Sequence, residues 1–152
     1  MPPAASGHTG VMNAFLQLLA SVILFVLCAV IHGTGLVLTT KAFKAEEREL
    51  KRQKLLTREF GTMVPMALCL FLMHLAEVML FACFYWAIGA RGSFDDSLFH
   101  SAAAYTTLGI PDNAQDDWRL IGALEGLTGF LLIGWSAAIF VTDMERVLRK
   151  RF

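Results

Sequence analysis

Phe99-His100-Ser101-Ala102-Ala103-Ala104-Tyr105-Thr106-Thr107-Leu108-Gly109-Ile110-Pro111-Asp112 lies between two long apolar runs, and its reading decides the fold. Upstream, after Gly89 and Gly92, Ser93 is followed three residues later by Asp96, the pattern of a capped helix start. The spacing predicts a helix from Phe94 to about Tyr105, roughly 18 Å long at 1.5 Å per residue. Such a helix is too short to cross a bilayer. Past Tyr105 the chain turns irregular, with Gly109 and Pro111 both opposing helix. Irregular backbone survives at membrane depth only where protein packs around it or it lines a cavity. The stretch therefore reads as a re-entrant loop or as one wholly outside the membrane.

The surrounding composition favours a membrane. Apolar residues make up 56% of the chain and charged residues 17%, which excludes an ordinary soluble domain. Stretches 11–40, 60–90 and 120–141 are each long enough to cross. The first is too long for a signal-peptide core and lacks a basic flank, so it is read as structure. Lys41, Lys44, Arg48, Lys51, Arg52, Lys54 and Arg58 follow the first stretch, and Arg146, Arg149, Lys150 and Arg151 follow the third. Only Arg91 and Arg119 separate the second from the third. The positive-inside rule then places the 41–59 segment and the C-terminus in the cytoplasm, with the N-terminus and the 90–119 segment outside.

This gives an external tail (1–10), a first transmembrane helix with a helical cytoplasmic connector (11–59), a membrane unit carrying the loop (60–145) and a basic cytoplasmic tail (146–152). Cys28, Cys69 and Cys83 lie in apolar stretches without metal-ligand spacing and read as small buried hydrophobes. No nucleophile–base pair, phosphate-cradling glycine loop or nucleic-acid surface is present, so neither an enzyme nor a nucleic-acid binder is expected.

Residues Thr106-Thr107-Leu108-Gly109-Ile110-Pro111-Asp112 resemble the selectivity filter of the potassium-channel superfamily, Thr-Thr-Val-Gly-Tyr-Gly-Asp. Five of the seven positions are identical or near it, while Ile110 and Pro111 depart. The resemblance covers about 60–145 and is to the compact bacterial ion-channel families. It implies an all-α membrane protein with three transmembrane helices and a re-entrant pore helix and filter loop between the second and third. It also implies a homotetramer in the cell's inner membrane that passes monovalent cations, potassium-like, without a resident cofactor. Backbone carbonyls of Thr107, Leu108, Gly109 and Ile110 and the Thr107 hydroxyl would replace the ion's hydration shell. Asp112 falls just past the filter. Ile110 removes the aromatic brace, and Pro111 fixes its own φ near about −65°, which implies a reshaped outer filter and relaxed selectivity.

On the third stretch, Gly122, Gly126 and Gly129 suit close helix approach. Gly134 occupies the place of an inner-helix hinge, and Thr128, Ser136 and Ala137 suit a wet pore wall. Five aspartates, Asp95, Asp96, Asp112, Asp116 and Asp117, face two arginines on the outer segment; the first two read as helix caps.

Intramembrane ionisable residues default to a functional role, and the pore leaves several unexplained. His74 and Glu77 share a helix face at i and i+3. His32 and His74 lie ~12 Å and ~21 Å from the cytoplasmic ends of straight helices, so their contact is possible within a shift of a few residues but not indicated. His100 is free to meet Glu77 or Glu125, and Glu125 to brace the loop from behind. These five residues read as a polar clamp, or as a proton sensor for gating since histidine titrates near neutral pH. Two further readings stay open: a non-conducting sensor or assembly subunit on the same scaffold, and a haem- or metal-binding protein using His32 and His74.

Overall fold

The structure, a computed structural model, describes residues 7–50, 55–109 and 118–149. Ile110, Pro111 and Asp112, with Asp116 and Asp117, lie outside the described residues. The elements are α1 (Gly7–Leu50), α2 (Leu55–Ala87), α3 (Phe94–Tyr105) and α4 (Arg119–Arg149), with no strand among the described residues. Helix α1 starts inside the stretch expected as an external tail. Three helices are long and apolar enough to cross a membrane: Ala14–Ala42, Met63–Ala87 and Arg119–Glu145. These spans overlap the three apolar stretches of the sequence almost throughout.

Burial follows membrane logic. Phe15, Val22 and Val30 on α1, Val64 and Phe71 on α2, and Phe130 on α4 are exposed, while Gln17, His32, Glu77, Glu125, Ser136 and Asp143 are buried. In hydrocarbon, outward apolar side chains cost nothing and polar groups must find partners inside. Along α1 the buried positions Gln17, Ser21, Leu24, Cys28, His32 and Leu36 recur every three to four residues, the period of one helix face. Cys28 alone of the cysteines is buried; Cys69 and Cys83 are exposed, and all three are free thiols. The expectation of three buried cysteines thus fails at two positions.

The contacts divide the chain into two compact units. The first comprises Met1–Cys28 with Val78–Phe130, and the second Ala29–Glu77 with Leu131–Phe152. In the first, Phe81, Tyr85, Tyr105 and Ile121 are completely or almost completely buried. Helix α2 ends here in a left-handed turn, with Gly89 at φ 67°. The Ala90 amide donates to the Tyr85 carbonyl and the Gly89 amide to Trp86, the paired bonds of a Schellman cap. In the second unit, buried Leu36, Leu70 and Met73 pack with Ile31, Ile139 and Phe140. A Cβ at Gly35 would strike the Met73 side chain, so glycine sets how closely α1 and α2 approach there. Pro65 lies inside α2 and lacks the N–H that would bond the preceding turn, yet the helix continues through it.

Candidate functional site

The loop of interest begins with α3, whose twelve residues match the expected length. Ser93 caps it: the Asp96 amide donates to Ser93 Oγ (3.0 Å), and Ser93 Oγ donates to Asp96 Oδ2 (2.7 Å). Asp95 and Asp96 sit in the first turn, where negative charge suits the helix dipole.

At its other end α3 closes with the same bonding as α2. The Leu108 amide donates to the Ala103 carbonyl (3.1 Å) and the Thr107 amide to Ala104 (3.0 Å). The residue in the left-handed position is Thr107, at φ 59°, where glycine is usual. A β-branched residue there is strained, by roughly 1–2 kcal/mol. Such strain persists only where the surroundings hold it. The cap turns the chain out of the helix and leaves Thr106, Thr107, Leu108 and Gly109 exposed, Leu108 at 85%. Gly109, at φ 108°, continues the irregular path.

Helix α4 holds the back of this turn. A Cβ at Gly129 would collide with the Tyr105 carbonyl, and one at Gly126 would lie 3.1 Å from the Ala104 carbonyl oxygen. Glycine at these positions lets α4 lie directly against the last turn of α3. Beside the contact, Ala104, Thr107, Gly109, Gly122, Gly126 and Phe130 line an open hollow.

Glu125 supplies the polar part of the grip. Fully buried, it accepts from the Tyr85 hydroxyl of α2 at Oε2 (2.8 Å) and meets the Ser101 hydroxyl of α3 at Oε1. Ser101 Oγ also reaches the Val78 carbonyl (2.9 Å). These three contacts contain only two hydroxyl protons. The count closes when the Glu125 carboxyl carries its own proton, donating to Ser101 while Ser101 donates to Val78. At His100, Arg91 Nη2 lies 2.9 Å from the ring Nδ1, and the ring meets the Tyr85 ring edge-on at 4.9 Å.

The second unit gathers the remaining ionisable residues. Glu77 Oε1 lies 2.8 Å from His32 Nδ1, and Oε2 lies 3.1 Å from His74 Nδ1. Both Nε2 atoms turn to one hydroxyl, Ser136 Oγ, at 3.2 Å from His32 and 3.1 Å from His74. The two imidazole centroids are 5.3 Å apart, and the Trp135 ring is also 5.3 Å from His32. His32 and His74 therefore do meet, through Glu77 and Ser136. With those two bridges in place, a porphyrin plane has no room between the imidazoles.

Ser136, expected on a wet pore wall, is buried in this ring, and Thr128 is buried and donates to the Leu124 carbonyl (2.9 Å). Ala137 is exposed. Gly134 has open space around its Cβ direction, so packing within the chain does not account for a glycine there. Tyr85 and Ser101 had no role assigned from sequence, and Ser136 was placed on a pore wall, because hydroxyls in apolar helices carry no charge signal. Their spacing was the available clue, since each falls on the buried face of its helix. Compared with known proteins, the chain matches no family model, no curated protein and no solved structure.

Proposed function

We propose that this chain is one protomer of a homotetrameric pore-loop channel that passes monovalent cations, potassium foremost, across the cell's inner membrane. The N-terminus faces outward and the C-terminus the cytoplasm, following the distribution of basic residues. The observation that carries the reading is the short, capped α3 that cannot cross a membrane and delivers Thr106–Gly109 to an exposed edge. In a lone protomer a leucine 85% exposed beside open glycines has nothing to pack against. Further copies of the same edge would cover it and bring backbone carbonyls of Thr107, Leu108 and Gly109 around one axis.

Two physical features suit a cation. The C-terminal end of α3 carries the partial negative charge of the helix dipole. The grip of Glu125, Gly126 and Gly129 on the last turns of α3 is the kind of support that fixed ligand positions require. Gly134 is the proposed bending point of the inner helix, and Pro111 the residue that reshapes the outer filter.

The test is flux through purified protein in liposomes, comparing potassium and sodium gradients against empty vesicles. Potassium flux well above background, with a potassium-to-sodium ratio that rises in Pro111→Gly, is the expected result. A folded tetramer that moves neither ion at any pH tried would sink the reading and leave a scaffold without conduction.

A further inference from the structure

The ring in the second unit has a deficit that can be counted. Its four contacts are Glu77 to His32 and His74 through Nδ1, and Ser136 to the same two imidazoles through Nε2. A neutral imidazole has one N–H and serine one O–H. With the carboxylate ionised and both imidazoles neutral, three protons serve these four contacts, and the four side chains together carry one negative charge. His32 and Glu77 are fully buried, where carrying charge is expensive. A cation held among these groups would offset that charge.

We propose that the ring binds one divalent transition-metal ion of the zinc class, ligated by His32 Nδ1, His74 Nδ1 and the Glu77 carboxylate. Imidazole nitrogen with carboxylate oxygen is the donor set such borderline ions take. One ligand atom from each of the three residues already lies within 4.8 Å of the other two. Around a tetrahedral ion with bonds of about 2.0 Å, neighbouring ligands stand about 3.3 Å apart. The two imidazole nitrogens stand 2.8 Å from Oε1 and 3.1 Å from Oε2 of the carboxylate, each within a few tenths of an ångström of that spacing.

Coordination through Nδ1 leaves an N–H on each Nε2, and both point at Ser136 Oγ, whose two lone pairs accept both. That is the outer partner that fixes the tautomer of ligating histidines. The serine's own proton is then free for the carbonyl four residues back, the route Thr128 and Thr142 already use on the same helix. Trp135 lies beside His32, where a ring face favours residual positive charge. A single proton would also close the count, but it needs one imidazole. Two imidazoles presenting the same nitrogen to one carboxylate is the convergence a metal requires. Bound there, the ion would join α1 and α2 through three protein ligands, with α4 tied in through Ser136, and leave the fourth tetrahedral position to water.

The test uses the full chain in nanodiscs, stripped with a chelator and titrated with Co²⁺ and then Zn²⁺. One Co²⁺ per chain with the visible bands of a tetrahedral site, displaced by Zn²⁺, is expected. Glu77→Gln and His74→Gln should abolish binding, and Ser136→Ala should weaken it by about 10–100-fold. Should a ligand variant fail to fold, Ser136→Ala keeps every ligand and carries the test alone. No binding to the stripped protein, or binding unchanged in the folded variants, overturns the proposal and leaves the four contacts to be closed by a proton. Neither result depends on whether the protein conducts.

Discussion

Glu77 and Glu125 are both fully buried carboxylates on membrane-spanning helices, and each sits in a network one proton short of its contacts. What differs is the company. Glu125 is surrounded by a tyrosine, a serine and, through that serine, a backbone carbonyl, none of which holds a positive charge. A proton on the carboxyl itself closes that count and leaves the cluster neutral and cohesive. Glu77 faces two imidazoles, which can carry charge or share a metal. The same side chain in the same solvent thus becomes a clamp in one unit and a cation site in the other.

The sharpest way to break this comparison is to make one substitution at both places. A glutamine at 125 reproduces a protonated carboxyl: its oxygen accepts from Tyr85 and its amide donates to Ser101, which still donates to Val78. Glu125→Gln should therefore leave thermal stability in detergent within about 1 kcal/mol of the parent and leave Co²⁺ binding untouched. Glu77→Gln should reduce Co²⁺ binding to background. Equal behaviour of the two variants in the cobalt titration would mean that the clusters do not differ in kind.

Next in size is Glu125→Ala. It leaves the buried Tyr85 hydroxyl without its acceptor and opens space between α3 and α4. The expected cost is about 2–4 kcal/mol, read as a lower midpoint of thermal unfolding monitored by tryptophan fluorescence. If conduction is confirmed, flux should fall with it, because α3 loses its polar tether. A midpoint unchanged by Glu125→Ala would show that the glycine contacts alone hold α3.

Much of this arrangement is legible in the sequence. The three spans follow from apolar length, and α3 follows from Ser93 and Asp96 at its start and from Gly109 and Pro111 beyond its end. Gly126 and Gly129 could be read as places of close approach, though not as contacts to the Ala104 and Tyr105 carbonyls. The meeting of His32 with His74 was hidden for a geometric reason. Depth along straight helices depends on where each helix enters the membrane, and a shift of a few residues at 1.5 Å each erases the apparent gap. Ser136 was hidden for a chemical one: a serine in an apolar helix has no signature until the groups it bonds are known.

The smallest expected effect concerns what the Glu125 clamp holds in place. Helices α2 and α3 end in the same pair of bonds, with Gly89 in the left-handed position of one and Thr107 in that of the other. Nothing lies within 4 Å of a Cβ built on Gly89, so Gly89→Thr tests conformational strain alone. It should cost roughly 1–2 kcal/mol, and Thr107→Gly should recover a similar amount. A gain from Thr107→Gly would mean that the chain carries a strained threonine where glycine is more stable. Under the proposed function, the reason is the Thr107 hydroxyl, so the stabilised variant should lose potassium preference in the liposome assay. Combined with Glu125→Ala, Thr107→Gly should restore part of the lost stability while cobalt binding at Glu77 stays at the parent level. Stabilisation without any change in selectivity would reduce Thr107 to an awkward cap and remove it from the filter.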